Sequence, residues 1–128
     1  MDLLLDTHAF LLWIARDQTL SQPARTAIGD ETNTVFVSAA SAWEVATKFR
    51  IGKLPGVAAV AGDLSAVLGA QGFIPLPATF ARGQAAGALP GPVKDPFDRM
   101  AIAQAMPDRL VLVSNEQGFD VYGVRRLW

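Results

Sequence analysis

The chain has 128 residues, of which 51% are hydrophobic and 18% charged, a composition typical of one folded globular domain over residues 1–128. Eleven basic against twelve acidic residues leave a formal charge of −1, so a nucleic-acid partner would have to be met by a local basic patch. The absence of cysteine excludes disulfides and thiolate metal sites and fits a cytoplasmic location. No apolar stretch is long enough for a membrane span, and the high apolar content favours a buried partner surface such as a homodimer.

A short apolar run that ends in a carboxylate opens the chain. Residues 3–6 predict a buried strand that delivers Asp6 to the end of a sheet. Residues 9–15 are apolar nearly all round, which is typical of a helix buried on both sides. The elements that follow are predicted as a helix capped by Ser21 and running to Ile28, a strand over residues 34–37, and a helix capped by Ser38 or Ser41 that runs to Ile51 and stops at Gly52.

The second half of the chain alternates helices and strands in the same way. Leu54-Pro55-Gly56 predicts a break, and a proline in the strand at 73–76 predicts an edge position because proline cannot donate to a strand ladder. Strands that alternate with helices predict an α/β fold with a central, mostly parallel sheet of about four to five strands and helices on both faces. The remaining elements are predicted as helices over residues 58–70, 79–88 and 96–106, the last capped by Asp95, and strands over residues 110–113 and 124–128.

Acidic residues follow two of the predicted strands and lie on two predicted helices. Ligands of open parallel sheets bind at the carboxyl ends of the strands, where Asp6 and Glu116 are expected. Asp98 shares a helix face with Ala101 and Ile102, and an unpaired charge on such an apolar stripe costs several kcal/mol. A cation there would remove that cost, so the pattern indicates a metal site.

Each acid also has an interpretation without a metal. Asp6 precedes a helix, and Asp is a favoured N-cap residue. Glu44 lies outside the apolar stripe of its helix and four residues before Lys48, which favours an exposed ion pair. Asp95 is explained as the cap of the helix that carries Asp98.

Carboxylates from separate strands and helices are nevertheless the ligands that hard cations such as Mg²⁺ and Mn²⁺ prefer. Several close carboxylates repel one another without the ion, and its charge reverses that repulsion. The chemistry expected of such a site is metal-assisted hydrolysis of a phosphodiester. Glu116 could instead be a solvated turn residue, and Asn115 could equally face inward.

Other catalytic schemes find little support in the sequence. The one histidine, His8, and the lack of cysteine argue against a serine or cysteine triad, and no phosphate-binding glycine motif is present. His8 is expected as a packed or hydrogen-bonded neighbour of the site. The basic residues near the acids in sequence, which form either a solvated face or a binding surface for RNA phosphates, are Lys48, Arg50, Lys53, Lys94 and Arg99.

Five segments share the order and spacing of a known family. They are Leu4-Leu5-Asp6-Thr7-His8-Ala9, Val37-Ser38-Ala39-Ala40-Ser41-Ala42-Trp43-Glu44-Val45, Gly52-Lys53-Leu54, Asp95-Pro96-Phe97-Asp98-Arg99-Met100 and Val113-Ser114-Asn115-Glu116. Together they resemble a PIN domain and, more narrowly, the VapC toxins of prokaryotic VapBC toxin–antitoxin pairs. The resemblance covers essentially the whole chain.

The resemblance implies a three-layer α/β/α domain and a Mg²⁺- or Mn²⁺-dependent endoribonuclease. It also implies homodimerisation and inhibition by a VapB-type antitoxin whose tail fills the cleft. The family's acids carry over to Asp6 and Asp98 as metal ligands and to Glu44 as a ligand or as the residue that positions the attacking water. Thr7 and Ser114 carry over as supporting hydroxyls.

The chain departs from the family pattern after its fourth strand. Relatives usually carry Ser/Thr-x-Asp, whereas this chain has Ser114-Asn115-Glu116, so Glu116 is predicted to contribute weakly as the fourth acid. Asp95 is ranked below Asp98, with a possible part in orienting water at the metal. The departure supports an alternative function as a catalytically weak PIN-like module that binds RNA or protein. A haloacid-dehalogenase phosphatase ranks low because His8 stands where that family needs a second Asp.

Overall fold

The computed structural model describes residues 1–53 and 61–128. Its strands are β1 (Asp2–Leu5), β2 (Thr34–Ser38), β3 (Ile74–Leu76), β4 (Val111–Val113) and β5 (Arg126–Leu127). Its helices are α1 (Thr7–Ala15), α2 (Gln22–Gly29), α3 (Ala39–Arg50), α4 (Leu64–Gln71), α5 (Phe80–Ala88) and α6 (Pro96–Asp108), with a 3₁₀ helix over Gln117–Tyr122. Within the described ranges, no helix has the length and apolar character needed to cross a membrane.

The five strands form one parallel sheet in the order β3-β2-β1-β4-β5. The predicted α/β fold with a parallel sheet of four to five strands is therefore confirmed. Strand β3 lies at one edge, which confirms the position predicted from Pro75.

Separate hydrophobic cores cover the two faces of β1. Leu3 and Leu5 pack on one face with residues of α1, α2 and α4, whereas Leu4 packs on the other face with residues of α6 and the 3₁₀ helix. Because successive side chains of a strand point to opposite faces, a strand covered on both sides must be apolar throughout. The two cores account for the three-layer arrangement.

Polar side chains cap the helices at the predicted starts. Ser21 and Asp95 cap α2 and α6, as the sequence predicts. The choice between Ser38 and Ser41 falls to Ser38, whose Oγ accepts a hydrogen bond from the N–H of Ala40 at 3.0 Å. These caps begin α2, α3 and α6 at Gln22, Ala39 and Pro96.

Two predicted elements differ from the structure where it describes them, the helix over residues 58–70 and the strand over residues 124–128. The break at residues 54–56 and the first residues of that helix lie outside the described residues and stay predictions. Further along, α4 begins at Leu64 because the carboxylate of Asp63 accepts a hydrogen bond from the N–H of Ala66 at 3.1 Å. The 3₁₀ helix was not predicted, and it leaves only two residues for β5 after Gly123, which has a φ of 75°.

Candidate functional site

Asp6 is the buried acid at the end of the central strand. Only 8% of the residue is exposed, and Oδ1 accepts a hydrogen bond from the N–H of Ala9 at 2.7 Å. Burial raises the pKa of the Asp6 carboxyl, and hydrogen bonding to Ser114 and Ala9 opposes that rise. Asp6 therefore both caps α1 and presents a carboxylate at the carboxyl edge of the sheet.

The neighbouring strand brings Ser114 and Glu116 to the same edge. Leu5 of β1 pairs with Val113 of β4, so the residues that follow these strands lie side by side. The fully buried Ser114 accepts a hydrogen bond at Oγ from the N–H of Glu116 at 3.0 Å. Glu116 is exposed and caps the 3₁₀ helix, and Asn115 is exposed as well.

Glu44 comes to this edge on α3, which follows β2 directly. Its pairing with Lys48 is as the sequence suggests, with Nζ 2.5 Å from Oε2, but the expected exposure of Glu44 is wrong, since only 7% of it is accessible. The sequence pattern failed here because burial of Glu44 depends on packing between elements, and α3 contacts both α1 and α6. A buried carboxylate held by a single half-exposed ammonium results.

Asp98 is the acid whose pKa is raised by the charges of the other acids. The pKa of its carboxyl is raised from 3.8 to about 7, chiefly by burial and then by the charges of Asp95, Asp6, Glu44 and Glu116, in that order. Acids from separate elements therefore influence one carboxyl group at one end of the sheet. This matches the expectation that a charge on the apolar stripe of α6 is unfavourable without a cation.

Two further predicted residues have defined structural contacts. Asp95 accepts hydrogen bonds at Oδ1 from the N–H groups of Phe97 and Asp98 at 2.9 and 3.0 Å, so it caps α6 as expected. Thr7 donates its hydroxyl to Oγ of Ser41 at 2.8 Å and so joins the first turns of α1 and α3. Ser41 was considered in the sequence only as a cap, and its burial is its distinguishing feature.

Arg99 is the predicted phosphate contact that the structure uses differently. Its guanidinium donates to the backbone carbonyls of Ala86, Gly87, Leu89 and Val93, which lie in α5 and the loop after it. A guanidinium has five N–H donors in a fixed planar arrangement, which lets it bind several carbonyls at once. Because these donors are used within the protein, Arg99 is poorly placed to bind RNA phosphates. Among the other basic candidates near the acids, Lys48 is half-exposed. The exposed ones are Arg50, Lys53 and Lys94.

His8 lies at the surface, so the expectation of a packed neighbour is wrong. Its position in the first turn of α1, two residues after Asp6, leaves the imidazole in solvent. Its charge nevertheless lowers the pKa of Asp6.

The acids are suitable ligands for a hard metal ion, but their side chains are not arranged as a complete coordination sphere. In residues 1–53 and 61–128, no three acidic or histidine side chains are arranged to hold one ion together. The reason is visible in their contacts, since Glu44 turns to Lys48 and Asp6 to the N-terminus of α1. The set still consists of oxygen donors, and Asp98 is an acid that both burial and four neighbouring acids make harder to ionise, so a divalent cation fits these residues.

Comparison of the chain with models of known protein families identifies its family. The model of the PIN domain family matches residues 3–124. The chain belongs to the PIN domain family. The match includes all the acids of the PIN-domain site described above, from Asp6 to Glu116. No curated protein matches the chain.

Solved structures share the fold of this PIN domain over nearly its whole length. A crystal structure of VapBC2 from Rickettsia felis bound to a promoter DNA fragment has a TM-score of 0.73 at 15% identity, covering 99% of this chain and 98% of that one. A structure of FitAB bound to the IR36 DNA fragment has a TM-score of 0.67 at 15% identity, covering 99% and 94%. At this identity the likenesses establish the fold.

Proposed function

We propose that this PIN domain is a Mg²⁺- or Mn²⁺-dependent endoribonuclease, the toxin of a type II toxin–antitoxin pair. The observation that carries the proposal is the environment of Asp98, whose pKa is raised by burial and by Asp95, Asp6, Glu44 and Glu116. Such a concentration of carboxylates destabilises a protein unless a cation balances it.

The proposal gives each acid a role. Asp6 and Asp98 would hold the divalent ion together with Glu44, which would also position the attacking water. When bound, the ion would lower the pKa of water and stabilise negative charge on the phosphodiester. Ser114 and the N–H of Ala9 orient the Asp6 carboxylate and oppose the rise of its pKa, while Asp95 caps the first turn of α6.

Cleavage of RNA by matched variants tests the nuclease proposal. We expect the wild type to cut RNA with Mg²⁺ or Mn²⁺ and to lose activity with EDTA, and Asp98→Asn to lose about 100-fold or more. Asp108→Asn is the matched control, since Asp108 is exposed at the far end of the same helix. Equal activity in the wild type and in Asp6→Asn or Asp98→Asn would remove the assignment.

A second function, that of an RNA- or protein-binding module with little activity, has two observations in its favour. The described acids do not form a ready-made cage, and Glu44 is already paired with Lys48. Calorimetric titration with Mn²⁺ separates the two functions, because a degenerate site would show no binding that depends on Asp6 and Asp98.

We also propose a homodimer and a VapB-type antitoxin as partners. The solved structures of similar fold are of VapBC2 and FitAB, each bound to DNA. This chain exposes large apolar side chains that a partner could cover, among them Trp43 at 66% and Phe80 at 93%. Light scattering of the purified chain, alone and co-expressed with the product of a neighbouring small gene, tests both partners; a monomer that captures nothing argues against them.

A further inference from the structure

The loop over residues 89–95 connects α5 to the helix that carries Asp98. It contains Pro90, Gly91 and Pro92 and ends at Asp95, the cap of α6. Most of the loop is exposed, and Leu89 and Val93 are only partly buried against the core that contains Leu4. The position of Asp98 therefore depends also on the polar contacts that fix this loop.

Arg99 supplies the first of these contacts. Its Nε donates to the carbonyl of Ala86 at 2.9 Å and its Nη1 to the carbonyl of Val93 at 2.6 Å. Its Nη2 donates to the carbonyl of Leu89. Since Arg99 follows Asp98 directly, its side chain ties the first turn of α6 to both ends of the loop and to the end of α5.

Tyr122 contacts the same loop from the 3₁₀ helix. Its hydroxyl accepts a hydrogen bond from the N–H of Val93 at 3.0 Å. Gly91 has a φ of +97°, and a Cβ there would lie 2.7 Å from Oη of Tyr122, so the ring sits directly against the loop backbone. Tyr122 ends the 3₁₀ helix that Glu116 caps.

The 3₁₀ helix is itself anchored beside the acids. Arg126 donates to Asp120 through Nε at 2.7 Å and Nη2 at 3.0 Å, and to the carbonyl of Ser114 through Nη1 at 3.1 Å. Tyr122 therefore links the loop before Asp98 to the segment that carries Ser114 and Glu116.

We propose that Arg99 and Tyr122 form a loop clamp whose task is to position Asp98 against the acids of the other elements. Like charges that must stay close need a rigid frame, because any slack lets the carboxylates separate. The inference rests on the proposed metal-dependent nuclease for its purpose, but its structural part stands by itself. Arg99 and Tyr122 are positioning residues and touch no reacting atom.

The mildest test removes the Tyr122 hydroxyl and leaves the ring. In Tyr122→Phe we expect Mn²⁺ affinity, measured by calorimetry, and kcat for RNA cleavage each to fall about 10-fold, with KM changed less than about twofold. Arg99→Gln should lose more and Arg99→Lys should recover part of the loss, since an ammonium keeps the charge but lacks the fork. Trp13→Phe is the control, because it removes one aromatic hydrogen-bond donor, to Gln71 at 2.9 Å, nearly two turns along α1 from Asp6.

Hydrogen exchange keeps the test independent of catalysis. The N–H groups of Phe97 and Asp98 bond to the Asp95 carboxylate, and both should exchange faster in Tyr122→Phe than in the wild type or Trp13→Phe. If the wild type binds no Mn²⁺, the proposed function fails, and the loop clamp is then tested by the hydrogen-exchange rates alone. Unchanged exchange, or a loss of metal affinity no larger than in Trp13→Phe, overturns the clamp.

Discussion

Nζ of Lys48 lies 2.5 Å from Oε2 of Glu44, so an ammonium occupies one oxygen of a buried acid in the proposed metal site. The side chain of Lys48 is 44% exposed, whereas that of Glu44 is 9% exposed. Lys48 therefore balances the charge of Glu44 when no divalent ion is bound, and a divalent ion must compete with it.

Removing the ammonium should reveal this competition. In EDTA we expect Lys48→Met to be less stable than the wild type by about 1–3 kcal/mol, because the Glu44 carboxylate loses its partner. Saturating Mn²⁺ should stabilise Lys48→Met more than the wild type. Urea denaturation with and without Mn²⁺ measures both effects, with Lys53→Met at an exposed position as the control. Equal stabilisation of both proteins by Mn²⁺ would show that Lys48 and the ion do not compete.

The raised pKa of Asp98 predicts how stability changes with pH in the metal-free protein. The folded pKa is about 7 against an ordinary value of 3.8, so the stabilising contribution of the protonated form is complete below about pH 4. Between these two pKa values the unfolded chain has ionised Asp98 while the folded protein still holds the proton, so this contribution is lost as pH rises from about 4 through 7. We expect urea denaturation in EDTA to show a fall in stability between about pH 4 and 7 that levels off above pH 7 and is smaller in Asp98→Asn. The same slope in both proteins contradicts the assignment.

The sequence predicts the framework well because the framework depends on local patterns. Asp6 follows an apolar run, and Ser21, Pro75 and Asp95 are residues whose backbone preferences hold in most contexts. Each of these was confirmed at its predicted cap or edge.

The remaining features depend on contacts between elements far apart in sequence. Helical periodicity places Glu44 outside an apolar stripe, but cannot show that packing between elements buries it. The same holds for Arg99, whose charge suggests RNA but whose carbonyl partners lie up to 13 residues away. The contact of Tyr122 with Val93 could not be predicted either, since Val93 lies 29 residues earlier and no local pattern connects the two residues.

Ser114 should matter more than its size suggests, because its hydroxyl serves two acids. Ser114→Ala removes the acceptor of the Glu116 N–H and the hydrogen bond that lowers the pKa of Asp6. We expect a loss of about 1–2 kcal/mol in stability and a further rise in the pKa of Asp6. Denaturation measures the first, and carboxyl NMR titration the second. Ser114→Thr keeps the hydroxyl and serves as the control, and an unmoved Asp6 titration in Ser114→Ala would refute the link.

Glu116 should contribute by charge alone. It is exposed, and its own carboxylate caps the 3₁₀ helix through a long 3.4 Å contact with the N–H of Gly118. The effect of its charge is the smallest of those that raise the pKa of Asp98.

We therefore expect Glu116→Gln to lower the pKa of Asp98 slightly. It should reduce RNA cleavage less than about 10-fold, which is the low end of what supporting residues of metal sites contribute. Glu116→Asp, which introduces the shorter acid of the Ser/Thr-x-Asp pattern, should match or exceed the wild-type rate. Parallel cleavage assays and carboxyl NMR titrations test this, and a Glu116→Gln protein as inactive as Asp98→Asn would instead make Glu116 a direct ligand.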